Sequence, residues 1–261
     1  MNPSSIAAVF LFEWRRAFTV ARMTWWVILA AFPPLIIGMI RIALRNEQIP
    51  SEPWIIMMFA LVPMLVSMLG TFLWATPVVS AELERKSWVY LAVRPHGKVN
   101  VLIGKYLVAL TWALSAAITG LYAAVAIMPY DGAGDIGKTI VGITLLSCPA
   151  YAAVYLLLGT LFPKRSMVIA VAYTLIFELI ISFIPAIINT LTVQYRIRTL
   201  LFLWSDMQID TEDINTLFAF IGNPPAWEHV VMLLAYTLIL LVAAIGVVRG
   251  REFSTAEEGE A

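Results

Sequence analysis

Six stretches of this chain, roughly 24–44, 54–80, 101–128, 140–161, 167–189 and 229–248, are long runs of apolar side chains with few charges. About 20 such residues cross a bilayer as a helix. Inside hydrocarbon, backbone N–H and C=O groups must pair within the protein, so only helices and closed barrels can span. No strand-period alternation competes with the apolar runs, and the expected fold class is an all-α membrane protein with six transmembrane helices. Composition agrees. Of 261 residues 61% are hydrophobic and 13% charged, where a soluble domain is about half apolar and a quarter charged. The second and third runs exceed what one crossing needs and are expected to tilt or to extend past the bilayer.

Charge sets the expected orientation. Twelve Lys and Arg flank one side (Arg15, Arg16, Arg22, Arg85, Lys86, Arg94, Lys98, Lys105, Lys164, Arg165, Arg249, Arg251), and five flank the other (Arg41, Arg45, Lys138, Arg196, Arg198). Both termini are therefore expected in the cytoplasm, with the chain a multi-pass protein of the cell (inner) membrane. Net charge is zero, so no nucleic-acid partner is expected. Cys148 is the only cysteine, which excludes internal disulfides, and two histidines give no His-rich metal site. The first 22 residues carry Glu13, Arg15, Arg16 and Arg22 and do not read as a cleavable signal peptide.

The best short motif is Gly132-Ala-Gly-Asp-Ile-Gly-Lys-Thr139, which fits the phosphate-loop pattern G-x-x-x-x-G-K-[ST]. A phosphate loop needs a buried strand leading in and a helix leading out. Here a membrane helix leads in, ending at Ala123-Ala-Val-Ala-Ile-Met-Pro-Tyr130, and the segment falls on the outer side, away from ATP. The expected structure is a Gly/Asp turn, with Lys138 snorkelling at the start of span four.

Three segments are not expected to span. Residues 1–22 hold Phe10, Leu11, Trp14, Ala17 and Phe18 at helical spacing, which predicts an amphipathic interfacial helix over 6–22. The loop 80–98 begins charged (Glu82, Glu84, Arg85, Lys86), turns apolar at Trp88 and Leu91, and breaks at Arg94-Pro95-His96-Gly97. That predicts a short surface helix offering a charged face. The outer segment 190–228 has two apolar pieces, 200–204 and 217–221, each too short to cross and separated by an acidic run. They predict short re-entrant or outer-surface helices. The six-helix domain thus covers 23–248, and 249–261 is a cytoplasmic tail.

At 80–105 the chain resembles the permease subunit of ABC-2-type ATP-binding-cassette transporters. Those subunits have six helices, an amphipathic helix before the first, and a loop with acidic residues leaving span two, a Leu, a Pro, a basic residue and Gly-Lys opening span three. This chain has Glu82 and Glu84, Leu91, Pro95, Lys98 and Gly104-Lys105; Ser87 stands where the family has Gly. The resemblance implies that a second permease subunit, the same or a related chain, pairs with this one. It also implies that two copies of a separate ATPase subunit, carrying ATP and Mg, dock on loop 80–98. Glu82, Glu84, Arg85, Lys86, Trp88, Arg94 and Pro95 would form that coupling contact. This chain would have no cofactor, metal or catalytic residue of its own. Export of an amphipathic or lipid-like substrate would be the activity. The competing classes are a stand-alone secondary carrier or channel, disfavoured by few intramembrane charges and no internal repeat, and an intramembrane enzyme, for which no motif speaks.

Within the spans, Glu178 and Lys105 stand out. A charge at mid-depth costs on the order of 3 kcal/mol. Both are candidates for a translocation path or subunit interface; the alternative for Glu178 is a structural hydrogen bond to a Ser, Thr or Tyr on a neighbouring span. Arg41 and Arg45 are expected to reach lipid phosphates or pair with Glu47 or Glu52, and Pro33-Pro34 to kink or interrupt span one.

Overall fold

The computed structural model describes residues 3–44, 50–85, 97–183, 187–205 and 225–251, and among them every regular element is helical. Helix α1 is Pro3–Ala17. Five further helices are long and apolar enough to cross a membrane: α2 Val20–Ala43, α3 Ser51–Glu84, α4 Gly97–Ile127, α5 Ala133–Leu161 and α8 Ala226–Gly250. A broken helix α6 (166–183) and a short helix α7 (Val193–Trp204) lie between the last two. The described residues are therefore all-helical, with five helices suited to cross a membrane. At 1.5 Å per residue α4 is about 46 Å long, well beyond the roughly 30 Å hydrocarbon core.

The helices alternate in direction. Arg41, ending α2, donates from Nη1 to the Ile127 carbonyl that ends α4, 2.9 Å away. Arg251, just past α8, donates to the Leu161 carbonyl that ends α5, 2.6 Å away. The first pair marks the far end of the bundle and the second the near end, where α1 also sits. Arg41 thus closes a neighbouring helix instead of reaching lipid phosphate or Glu52: an orphan C-terminal carbonyl takes its guanidinium. Arg45 and Glu47 lie outside the described residues.

α4 and α5 form the centre. α4 packs against α1, α2, α3 and α5, and α5 also takes α6, α7 and α8. Small residues make this possible. Ala109, Ala113, Ala116, Ala117 and Ala124 on α4 and Ala150, Ala152 and Ala153 on α5 are all buried, letting backbones approach and gain dispersion contact where lipid gives no hydrophobic drive. α2 and α8 are peripheral, with Leu35, Met39, Leu238 and Ile239 exposed as lipid-facing side chains would be.

Several expectations need correction. The fifth run, 167–189, is not one of the long apolar helices. It is α-helical over Ser166–Tyr173, π-helical over Thr174–Ile180 and 3₁₀ over Ile181–Phe183. Glu178 lies within the π-helical stretch, and its carbonyl accepts from Ser182 Oγ at 2.6 Å. Pro33-Pro34 does not interrupt α2. Pro34 has no N–H for the Ala30 carbonyl, and that oxygen lies against Gly120 of α4, where a Cβ would sit 2.8 Å from it. The amphipathic helix ends at Ala17, and α2 restarts at Val20 with Thr19 as N-cap. Span four starts at Ala133, so most of the expected Gly/Asp turn is helix.

Candidate functional site

The near end gathers the residues singled out at 80–105. Gly104 decides how α1 seats. A Cβ there would lie 2.6 Å from Val9 Cγ1, so only glycine lets α1 cross α4 this closely. Beyond the crossing, Trp112 of α4 meets Trp14 and Phe18 from the N-terminal segment and Trp74 from α3, with ring centroids 5.9, 5.3 and 5.9 Å away. α1 is thus bound by its aromatic face while Leu11 and Phe12 remain exposed.

Beside that crossing, Lys105 of α4 forms an ion pair with Glu82 of α3, with both side chains almost fully buried. Glu82 was expected on a surface offered to a partner, and the structure turns it inward. Lys105 was expected on a translocation path or interface, and it is spent on Glu82 inside one chain. The reason is register. Glu82 is the last buried position of α3, and Lys105 follows Gly104, where α1 crosses α4. A charge held there needs a charge opposite, because an unpaired one would be costly. The pair fixes the two ends of loop 80–98 to each other. Glu84 and Arg85 are exposed at its start. Lys86, Trp88, Arg94 and Pro95 lie outside the described residues.

A second centre forms around Glu178. Its Oε1 accepts from Tyr173 Oη at 2.7 Å, and its Oε2 accepts from the Gln194 backbone N–H at 2.9 Å. Thr192 Oγ1 accepts from the Tyr195 N–H at 3.2 Å. Both N–H groups belong to the first turn of α7. That helix begins beside the middle of α5, where Tyr151 Oη donates to Gln194 Oε1 at 2.8 Å, and its last residue, Trp204, packs at Gly142. A helix N-terminus leaves its first N–H groups without internal partners. Glu178 and Thr192 satisfy two of them, and the carboxylate also faces the positive end of the helix dipole. The neighbouring-span hydroxyl expected for Glu178 is not what it meets: Tyr173 lies five residues away in the same run, and the other partner is a backbone N–H of α7.

Tyr173 and Glu178 are five residues apart. In an α-helix they would lie on different faces, and the π-helical turn brings them together. A reading at 3.6 residues per turn therefore misses the pair. Tyr155 Oη adds a bond to Thr174 Oγ1 at 2.7 Å. Nothing in a single apolar run marks these tyrosines as partners. Near the far end, Arg196 donates to the Thr190 carbonyl at 3.1 Å and lies 3.4 Å from His229 Nδ1, holding α7 to α8.

The phosphate-loop look-alike carries no cradle. Gly132 is the N-cap of α5, and the helix begins at Ala133. The Lys138 ammonium lies 2.8 Å from Asp135 Oδ1, one turn back on an exposed face. From Gly137 onward the backbone N–H groups belong to the helix and cannot converge on a phosphate. Among the described residues no group of three or more His, Cys, Asp or Glu could hold a metal ion. Compared with known proteins, the chain matches no family model and no curated sequence.

Proposed function

We propose that this chain is the membrane subunit of an ABC-2-type ATP-binding-cassette exporter, working with a second membrane subunit and two ATPase subunits that carry ATP and Mg. The observation that supports it most is the buried Glu82–Lys105 pair under loop 80–98. A loop that must transmit force needs a base that does not yield, and this one starts and ends on helices clamped by opposite charges. α1 lies across the same corner, so motion of the loop reaches α1, α3 and α4 together. Glu84 and Arg85 begin the charged face on which an ATPase docks.

In this reading the near end is cytoplasmic, in keeping with the twelve flanking Lys and Arg. α6 is the fifth span, and α7 is a half-helix whose N-terminus lies at membrane depth under the Glu178 cap. Irregular backbone at that depth is tolerated only where protein or water covers it, and α5, α6 and α8 supply the cover. The cargo is amphipathic or lipid-like, in line with spans that carry no polar stripe.

Co-purification tests the proposal. An ATPase should be recovered in stoichiometric amount with the full chain, and Glu84→Lys with Arg85→Glu should release it. Glu82 is left intact, because its loss would unseat the loop base itself. Transport by the purified chain in liposomes with no ATPase would refute the proposal and leave a stand-alone carrier or channel.

A further inference from the structure

A cavity of about 180 Å³ opens at the near end between α1, the start of α2, the end of α3 and α4. One water needs roughly 10–15 Å³, so the space takes a larger guest. Its charged walls are Arg16, Arg22, Arg85 and Glu13, and Trp74 and Trp112 close it off. The balance is positive. Glu13 lies 3.9 Å from Arg16, a loose contact. Lys105 also borders the cavity, but Glu82 neutralises it. Glu13 attracts Arg22 from beyond ion-pair distance, and Arg85 and Arg16 are both close enough to repel it. Among the described residues no carboxylate lies within ion-pair distance of Arg22 or Arg85.

Two more features favour an anion. Arg22 is in the first turn of α2, a turn with no acidic residue, so its guanidinium adds to the positive end of the helix. The indole walls keep water from screening the site on one side. Guanidinium groups suit phosphate because their paired N–H donors match two of its oxygens. Outside the cavity the surface is apolar: Phe18, Val20 and Met23 are exposed along the start of α2, where an acyl chain could continue from a headgroup. We infer that Arg16, Arg22 and Arg85 form a phosphate site at the membrane surface, occupied by the headgroup of an anionic phospholipid. The lipid would then tie α1 and the loop base to the leaflet, so that anionic lipid content sets how firmly that corner is held. This inference does not depend on an ATPase partner.

Thermal unfolding of the full chain in neutral detergent tests it, with phosphatidylglycerol, phosphatidylcholine or inorganic phosphate added. Phosphatidylglycerol at a hundredfold excess over its dissociation constant should raise the midpoint by roughly 5–10 °C, and phosphatidylcholine should not. R22Q with R85Q should abolish that rise, and E13Q should enlarge it. An equal rise with inorganic phosphate alone would keep the site and make its ligand a soluble phosphate compound. Equal midpoints in the two lipids overturn the inference using wild-type protein alone, even if the double variant does not fold. An undiminished rise in the double variant overturns it as well, and would place the lipid elsewhere. If added ATPase gives a rise that R22Q alone removes, and phosphatidylglycerol gives none, the cavity belongs to a protein contact and the lipid site fails.

Discussion

Glu82 and Glu178 are both buried carboxylates in an apolar bundle, and the protein satisfies them in opposite ways. Glu82 meets a full positive charge across two long helices. Glu178 is 0% exposed and meets a tyrosine hydroxyl and a backbone N–H at the start of a short helix. The first arrangement joins the ends of a loop. The second closes a helix terminus that would otherwise present bare N–H groups to an apolar surround. Charge is what matters at Glu82, and hydrogen-bond acceptance is what matters at Glu178.

Single and double substitutions separate these roles. Lys105→Met leaves Glu82 buried without its cation and should cost about 3–5 kcal/mol, read as a lowered thermal midpoint in detergent. Glu82→Gln with Lys105→Met should recover most of that loss, since a buried pair replaced by neutral groups is often nearly neutral. A double variant no better than the single would mean that the pair is not what holds the loop base.

Glu178→Ala should come next. It strands the Gln194 N–H, at about 1–3 kcal/mol, while the Tyr173 hydroxyl keeps Tyr236 as a hydrogen-bond partner. Glu178→Gln keeps an acceptor for Gln194 and should lose less than half as much. If the two variants are equally unstable, the negative charge matters after all and the contrast with Glu82 disappears. If Glu178→Gln folds normally yet abolishes transport, the residue does more than cap α7.

Gly104→Val probes the neighbouring crossing. The added side chain meets Val9 and should lift α1, costing about 1–3 kcal/mol as overpacking does. Val9→Ala in the same chain should return part of that loss. Limited proteolysis between α1 and α2 would report the lifting directly, since residues 18–19 are already the break between helices.

How much of this could be read from the sequence depends on period and distance. The long runs that became α2, α3, α4, α5 and α8 were legible because hydropathy over 20 residues needs no tertiary context. The fifth run was legible as apolar but not as a broken helix, because hydropathy does not register a change from 3.6-residue turns to π-helical turns, which Glu178 and Tyr173 exploit. Glu82 and Lys105 were each legible as unusual, yet their pairing was not: they are 23 residues apart, on two helices that approach closely where Gly70 meets Ala113. Arg22 was legible only as an orienting charge and Arg85 only as that and as part of the coupling loop, because a shared cavity leaves no trace in linear spacing.

The smallest expected effect concerns the motif that looked most like chemistry. In Gly132–Thr139 the sequence satisfies every fixed position of a phosphate loop, and the fold spends the same residues on starting a helix. Asp135 supplies a negative charge to the first turn of α5, where the dipole favours it, and Lys138 pairs with it one turn on. Both side chains are exposed, with 84% and 81% relative accessibility, so solvent screens their attraction and little stability depends on it. Lys138→Ala should therefore leave the thermal midpoint unchanged within error. It should also leave ATP hydrolysis by an assembled complex intact, whereas a phosphate-loop lysine could not be removed without losing it. Loss of hydrolysis in a normally assembled Lys138→Ala complex would mean that this end of the bundle binds nucleotide, and the proposed division of labour between the chain and a separate ATPase would fall with it.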